Sequence, residues 1–362
     1  MGINGYPTPL MLQFQSIHIT AETLKFISEL DEFKGKWQAT QDLAPDRLSS
    51  LKRVATIESV GSSTRIEGAK LTDEQVEKLL SKLETQSFTS RDEQEVAGYA
   101  NAMDLVFENF ASVALSENHI KQLHGVLLKY SSKDEEHRGE YKNITNHVEA
   151  FDADGESLGV VFQTATPFET PLMMKALVDW YAAQQNEELQ HPLLSAAVFV
   201  VVFLAIHPFK DGNGRLSRVL TTLLLLRSGY SYVPYSSMET VIESNKENYY
   251  LALRRTQQTI RTDEQNWEPW VAFFLETMVT QKNNLAKKVN EERQLRETLP
   301  ALSLSILDMA KTRGEITVRE IEAATSANRN TIKAHLKKLA VQDYLQVIGK
   351  GRGVRYVLKT QG

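Results

Sequence analysis

Apolar residues recur along this chain at helical spacing. Leu48, Leu51, Val54/Ala55 and Val60 form one series, and Val76, Leu79, Leu80 and Leu83 a second. Ile120, Leu123, Val126 and Leu127 form a third, and Val271, Phe274, Leu275 and Met278 a fourth. Steps of three and four, broken only before Val60, place each series on one face of an α-helix. Several starts are marked. Pro45 suits a first turn, Thr72-Asp73-Glu74-Gln75 reads as a capping box, and Pro171 and Pro269 sit near further starts. Leu193 to Ile206 is almost wholly apolar. It is shorter than the ~20 residues that span a bilayer, so it predicts a buried helix.

Two stretches break the helical pattern. Tyr141 to Thr170 contains the turn sequence Asp152-Ala153-Asp154-Gly155, followed by Val160-Val161-Phe162-Gln163. This predicts a β-hairpin or a long loop. Beyond Ile316 the pattern predicts a short helix, Val318 to Thr325, a turn, Ser326-Ala327-Asn328, and a second helix, Arg329 to Leu339. Tyr344 to Ile348 and Val354 to Leu358 then alternate as strands around Lys350-Gly351-Arg352-Gly353. The expected class is mainly α with one β-hairpin, followed by a small α+β module.

Composition adds boundaries. The 362 residues suffice for two domains. Apolar content of 42% and charged content of 24% fit a soluble globular protein. The absence of cysteine excludes disulfides, thiolate catalysis and Cys-ligated zinc, and suits a reducing cytosol. The N-terminal residues lack the basic start and apolar centre of a secretion signal, so a cytoplasmic, non-membrane protein is expected. From Ala301 onward 11 Lys+Arg face 5 Asp+Glu, giving +6 and leaving −11 for the first 300 residues. That asymmetry suggests two modules. The polar stretch Gln281 to Glu297, closed by Pro300, reads as a linker helix. The expected organisation is an N-terminal helical region (1–110), a core (111–280), a linker helix (281–300) and a C-terminal module (301–362).

The candidate chemistry sits between two apolar runs, in His207-Pro208-Phe209-Lys210-Asp211-Gly212-Asn213-Gly214-Arg215-Leu216-Ser217-Arg218. Gly212-Asn213-Gly214 permits backbone conformations closed to most residues. A helix starting near Gly214 would add unpaired N–H donors and a favourable dipole, making an anion hole. Arg215 and Arg218, three apart, could grip further phosphate oxygens. Asp211 could ligate Mg²⁺, which takes one or two carboxylates plus substrate phosphates. His207 could take a proton from a hydroxyl near neutral pH. Histidines 18, 119, 124, 137, 147, 191 and 335 show no metal-ligand spacing.

This segment resembles the signature of Fic-domain proteins, HPF-x-[DE]-GNGR-x-x-R, at every position. The resemblance covers roughly residues 40–280. It implies a helical fold that transfers AMP from ATP to a hydroxyl side chain of a target protein. It makes His207 the base and Asp211 the Mg²⁺ ligand, with Gly212, Asn213 and Gly214 on the α- and β-phosphates. Arg218 would reach the γ-phosphate, and Arg215 would assist at the phosphates and in positioning the loop. The same fold can transfer UMP, phosphocholine or phosphate, or remove AMP from the target.

Ser63-Thr64-Arg65-Ile66-Glu67-Gly68 resembles the family's inhibitory motif, [ST]-x-x-x-E-[GN]. A helix from about 45 should end at Gly68, placing Glu67 in its last turn against the negative end of the dipole. A cation should compensate, and Arg218 is the candidate. Val161, Phe162, Gln163 and Thr164 resemble the family flap, which pairs with an extended target segment. Asn248, Tyr249 and Tyr250 resemble the flank of the adenine pocket. Arg91-Asp92-Glu93-Gln94-Glu95-Val96 also looks family-like and is assigned to helix packing. Family members with this brake often form homodimers. The C-terminal pattern looks like a winged helix-turn-helix, a module that contacts DNA or protein. A second overall reading is therefore a DNA-binding regulator whose Fic region senses nucleotide.

Overall fold

The computed structural model describes residues 17–359, apart from 40–44, 84–87, 89, 113, 147, 152–156, 188–189 and 263. The chain divides into two compact units, Met1–Leu285 and Ala286–Gly362. The first begins with α1 (Ala21–Ala39), α2 (Pro45–Ile66), α3 (Asp73–Leu80), α4 (Arg91–Asn109) and α5 (Glu117–Leu127). A hairpin of β1 (Val148–Phe151) and β2 (Ser157–Phe162) follows. Then come α6 (Glu169–Asn186), α7 (Pro192–Ile206), α8 (Asn213–Arg227), α9 (Met238–Ser244), α10 (Lys246–Gln257) and α11 (Glu268–Thr298), which crosses the boundary at 285. The second unit adds α12 (Ala301–Arg313), β3 (Glu315–Ile316), α13 (Val318–Thr325), α14 (Arg329–Val341), β4 (Leu345–Ile348) and β5 (Arg355–Leu358). The architecture is mainly α, and none of its described helices is long and apolar enough to cross a membrane.

The apolar run becomes α7, the centre of the first unit, with every residue from Leu193 to Ile206 buried. A helix apolar on all sides has to be surrounded, and α6 and α8 flank it. Pro192 occupies its first turn, and the His191 ring accepts from the Leu193 amide at 3.3 Å. α8 is buried over almost its whole length. The polar segment 207–212 therefore joins two core helices at one end of the unit. The capping box at Thr72 and Gln75 forms as read, and Ser90 with Glu93 makes another at α4. α1 lies outside the helical series read from the sequence. It is fastened by Asp31, which accepts from Tyr230 Oη at 2.6 Å, and by Lys34, which donates to Ser228 O at 2.9 Å.

β1 and β2 pair antiparallel, Val148 opposite Phe162 and Phe151 opposite Ser157. The turn read at Asp152–Gly155 lies outside the described residues. In the second unit the strands form one antiparallel sheet, ordered β3-β5-β4. Its core gathers Ile306, Ile316, Ile321, Ile332, Leu336 and Leu339. β3, two residues long, is too short to leave a periodic trace.

α4 and α5 meet at very close range. A Cβ added to Gly98 would stand 1.9 Å from the Leu127 carbonyl oxygen. Because that neighbour is backbone, Gly98→Ala must push the helices apart. The expected loss is about 1–3 kcal/mol, as in other overpacked cores, read as a lower denaturation midpoint. An unchanged midpoint would mean that the two helices are free to separate.

Candidate active site

The loop after α7 is built by its own polar groups and three distant ones. His207 takes the left-handed conformation, φ 53°, uncommon for a residue with a Cβ. Its amide bonds Phe203 O at 2.9 Å, and its Nδ1 donates to Leu204 O at 3.3 Å. That contact selects the Nδ1–H tautomer and leaves the Nε2 lone pair open. Phe209, fully buried, stacks on His124 with ring centroids 3.8 Å apart. The Asn213 side chain closes the loop, accepting from Phe209 N at 2.9 Å and donating to Phe209 O at 2.7 Å. Gly212, φ 79°, then caps α8.

The first backbone amides of α8 have no partner within the helix, and the carboxylate of Glu67 faces them. A Cβ on Gly214 would lie 2.2 Å from Glu67 Oε1. Gly214 is thus required by the close approach of an anion, whereas Gly212 is required by its backbone angle. Arg218, 3% exposed, completes the pair. Its Nη2 donates to Glu67 Oε1 at 2.8 Å and to Ser63 O at 2.9 Å, and its Nε to Ser63 Oγ at 2.7 Å. Burial opposes the guanidinium's charge most, but Glu67 together with Tyr249 and Tyr99 outweighs it and the pKa is raised.

Glu67 follows the last residue of α2. The helix closes with a Schellman pattern: Gly68, φ 105°, donates to Arg65 O at 3.0 Å, and Ala69 donates to Thr64 O at 3.1 Å. The sequence reading placed Glu67 against a negative dipole. The structure compensates twice, with the Arg218 cation and with the positive end of α8. Arg65 holds this end of α2 in place, donating to both Glu243 oxygens at 2.7 and 3.0 Å and to Asp73 at 2.9 Å.

Some expected residues sit differently. Arg215, expected to assist at the phosphates and in positioning the loop, is 2% exposed and turned inward, between Glu95 at 3.4 Å and Asp211 at 3.3 Å. In this arrangement it positions the loop. Asp211 also accepts from Gly212 N at 2.6 Å and from Arg91 at 3.4 Å. Its carboxylate stands alone: among the described residues no group of three acidic, His or Cys side chains could hold a metal unaided. Such a donor set fits a cation shared with phosphates. Tyr249 is buried among Trp270 and Phe273, lining a small cavity with Arg218, while Tyr250 is 43% exposed. Asn248 is exposed and bonds Asn245 at 2.7 Å. On the flap, Val161 and Phe162 lie in β2 and Gln163 is exposed. Thr164 is not available to a target, being buried against Lys142 at 2.9 Å.

Sequence reasoning missed His124, Lys142, Asn146 and the Arg91–Glu95 pair. His124 is fully buried, and burial pushes its pKa down to about 4. Its neutral ring donates from Nε2 to Asp211 O at 3.0 Å and accepts from Gly139 N at 2.9 Å. Lys142 donates from Nζ to Asn146 Oδ1 at 2.8 Å, Thr164 Oγ1 at 2.9 Å and Ile206 O at 3.2 Å, and from its amide to Pro208 O at 2.8 Å. Asn146 donates to Phe209 O at 2.6 Å. The two feet of the flap are thereby tied to the loop after α7. Arg91 and Glu95, assigned to packing, reach Asp211 and Arg215 instead. The family-like look of Arg91–Val96 and the i, i+4 spacing of opposite charges were the hints at them.

The chain is similar to known proteins in sequence and in fold. Residues 114–225 match the Fic/DOC family. A probable protein adenylyltransferase of Aquifex aeolicus is 30% identical over 100 residues, which is 28% of this chain and 28% of that protein. The protein adenylyltransferase Fic of Drosophila mojavensis is 26% identical over 250 residues, 68% of this chain and 44% of that one. The chain thus matches less than half the length of these relatives. A Fic family protein structure from Desulfovibrio desulfuricans superposes with a TM-score of 0.63 at 23% identity, covering 96% of this chain and 99% of that one. That likeness is one of fold.

Burial, and then the Lys142 ammonium, push the His207 pKa down to about 4. The imidazole is therefore neutral at physiological pH. Lys142→Met removes the cation, so His207 should titrate at higher pH, measured by NMR of the labelled imidazole. A downward or absent shift would show that Lys142 does not act on His207.

Proposed function

We propose that the protein is a Fic-type adenylyltransferase that moves AMP from ATP onto a hydroxyl of a target protein, and that Glu67 holds it off. The observation that carries this reading is the Glu67 carboxylate lying against Gly214 and bonded to Arg218 at 2.8 Å. An anion there marks the place where a nucleotide's phosphates would bind. The relatives named as adenylyltransferases support the choice of AMP.

In the proposed reaction, the phosphates of ATP occupy the amide turn of Gly212, Asn213 and Gly214, and Arg218 takes the γ-phosphate once Glu67 withdraws. Asp211 would hold Mg²⁺ together with those phosphates. The ion supplies charge neutralisation on the phosphoryl oxygens when bound. A Ser, Thr or Tyr hydroxyl, brought in by a target strand alongside β2, gives its proton to Nε2 of His207. Its oxygen bonds to the α-phosphorus while the bond from that phosphorus to the α–β bridging oxygen breaks. Pyrophosphate leaves with its charge met by Arg218 and the turn amides. The neutral state of His207 suits this role, because a protonated ring could not accept.

Glu67→Gly should raise autoadenylylation by at least about tenfold, a barrier change of little more than 1 kcal/mol. Adding His207→Ala in that background should lower the rate of transfer by about 10²–10⁴-fold, the usual worth of a general base. Intact mass of the product identifies the group transferred. No rise on removing Glu67, with ATP binding retained, would take the brake out of this account. A transferred group other than AMP would replace the chemistry.

A further inference from the structure

The proposed chemistry leaves the second unit without a task, yet one of its surfaces is sharply polarised. α14 buries Ile332, Leu336 and Leu339 against the unit's core, each fully covered. Arg329, Asn330, Lys333, Ala334, Lys337 and Lys338 are exposed. α14 contains no acidic residue. His335 turns inward, its Nδ1 2.7 Å from Ser303 Oγ.

The acids around this helix are already engaged. Glu315 pairs with Arg355. Asp343 pairs with Lys359 at 2.7 Å. Glu320 caps its own helix through Thr317 at 2.7 Å. Glu322 reaches Arg329 only at 4.0 Å. Among the described residues, Lys333, Lys337, Lys338 and Lys350 show no ion pair. The framing is equally specific. α13 and α14 are joined by Ser326-Ala327-Asn328, with Ser326 at φ 54° and Asn328 capping α14 through a 2.8 Å bond to the Asn330 amide. The β4–β5 hairpin carries Lys350 between Gly349 and Gly351, both at positive φ. Two helices joined by a three-residue turn, followed by a basic hairpin, match the shape that sets a second helix into the major groove.

Three physical points decide the partner. Unpaired lysines are depleted from protein interfaces but attracted to phosphate. The outward face of α14 offers no aromatic or leucine anchor, Val341 at its far end being its exposed large apolar side chain. A helix enters the wide major groove of B-form DNA but not the deep, narrow one of double-stranded RNA.

We propose that the second unit binds duplex DNA, with α14 in the major groove. Arg329 and Asn330, at the leading end of the helix, face base edges. Lys333, Lys337 and the hairpin's Lys350 lie on phosphates. This binding is independent of the chemistry at His207.

The test uses the full chain and labelled random-sequence DNA duplexes, followed by fluorescence anisotropy from about 50 to 200 mM salt. Log affinity should fall linearly with log salt. Lys333→Gln with Lys337→Gln should lower the slope by about 2, one unit per lost phosphate contact. Lys359→Gln, which touches only the Asp343 pair, should leave it unchanged, and so should His207→Ala. Asn330→Ala should keep the slope and alter the sequences recovered from a random duplex pool. Unchanged melting curves confirm that the variants are folded. No duplex binding at the lowest salt, as expected of a protein-docking surface, overturns the proposal. So does a slope unaffected by the double variant, or equal competition by double-stranded RNA.

Discussion

The site turns on one buried cation. Arg218 is 3% exposed and cannot be left without anions in so dry a place. In this structure Ser63 and Glu67 supply its acceptors, from the end of α2, 155 and 151 residues away in sequence. One guanidinium nitrogen, Nη1, still has no hydrogen-bond partner among the described residues. The cation is therefore stabilised enough to hold α2 in place, yet incompletely satisfied. A phosphate oxygen would be a better partner than a carboxylate that is one-third exposed.

That constraint explains the surroundings. α2 must end where its C-cap can reach α8, which the Gly68 turn and the Arg65 clamp on Glu243 and Asp73 accomplish. α8 must start at a glycine-rich turn whose amides stay open, and Gly214 must lack a side chain so that an anion can approach. The loop between α7 and α8 must be stiff. His124, Asn146 and Asn213 fasten its backbone at Asp211 and Phe209. Lys142 extends this stiffness to the flap, so the 207–212 loop and the flap are one connected piece.

Much of this was legible in the sequence, and the limits have a physical cause. Capping boxes, the apolar run of α7 and the turn before α14 are local, because the residues that form them are neighbours in the chain. The His207–Arg218 segment is legible for the same reason. Glu67 was found through a short motif, but its second compensating contact, the start of α8, was not. Lys142 and His124 left almost no trace, and the role of Arg91 and Glu95 was not legible, since the groups they hold around the loop lie 64 to 120 residues away. The burial of Arg215 was not legible, because Glu95 of α4, which it faces, lies far away in the chain.

The central claim is that Glu67 and a γ-phosphate compete for Arg218. The most direct measurement compares calorimetric affinities for ATP and ADP, in Mg²⁺, for the natural sequence and for Glu67→Gly. With Glu67 in place the third phosphate has no arginine, so the two nucleotides should bind alike. With Glu67 removed, ATP should gain over ADP. The same ATP-to-ADP ratio in both proteins would contradict the claim.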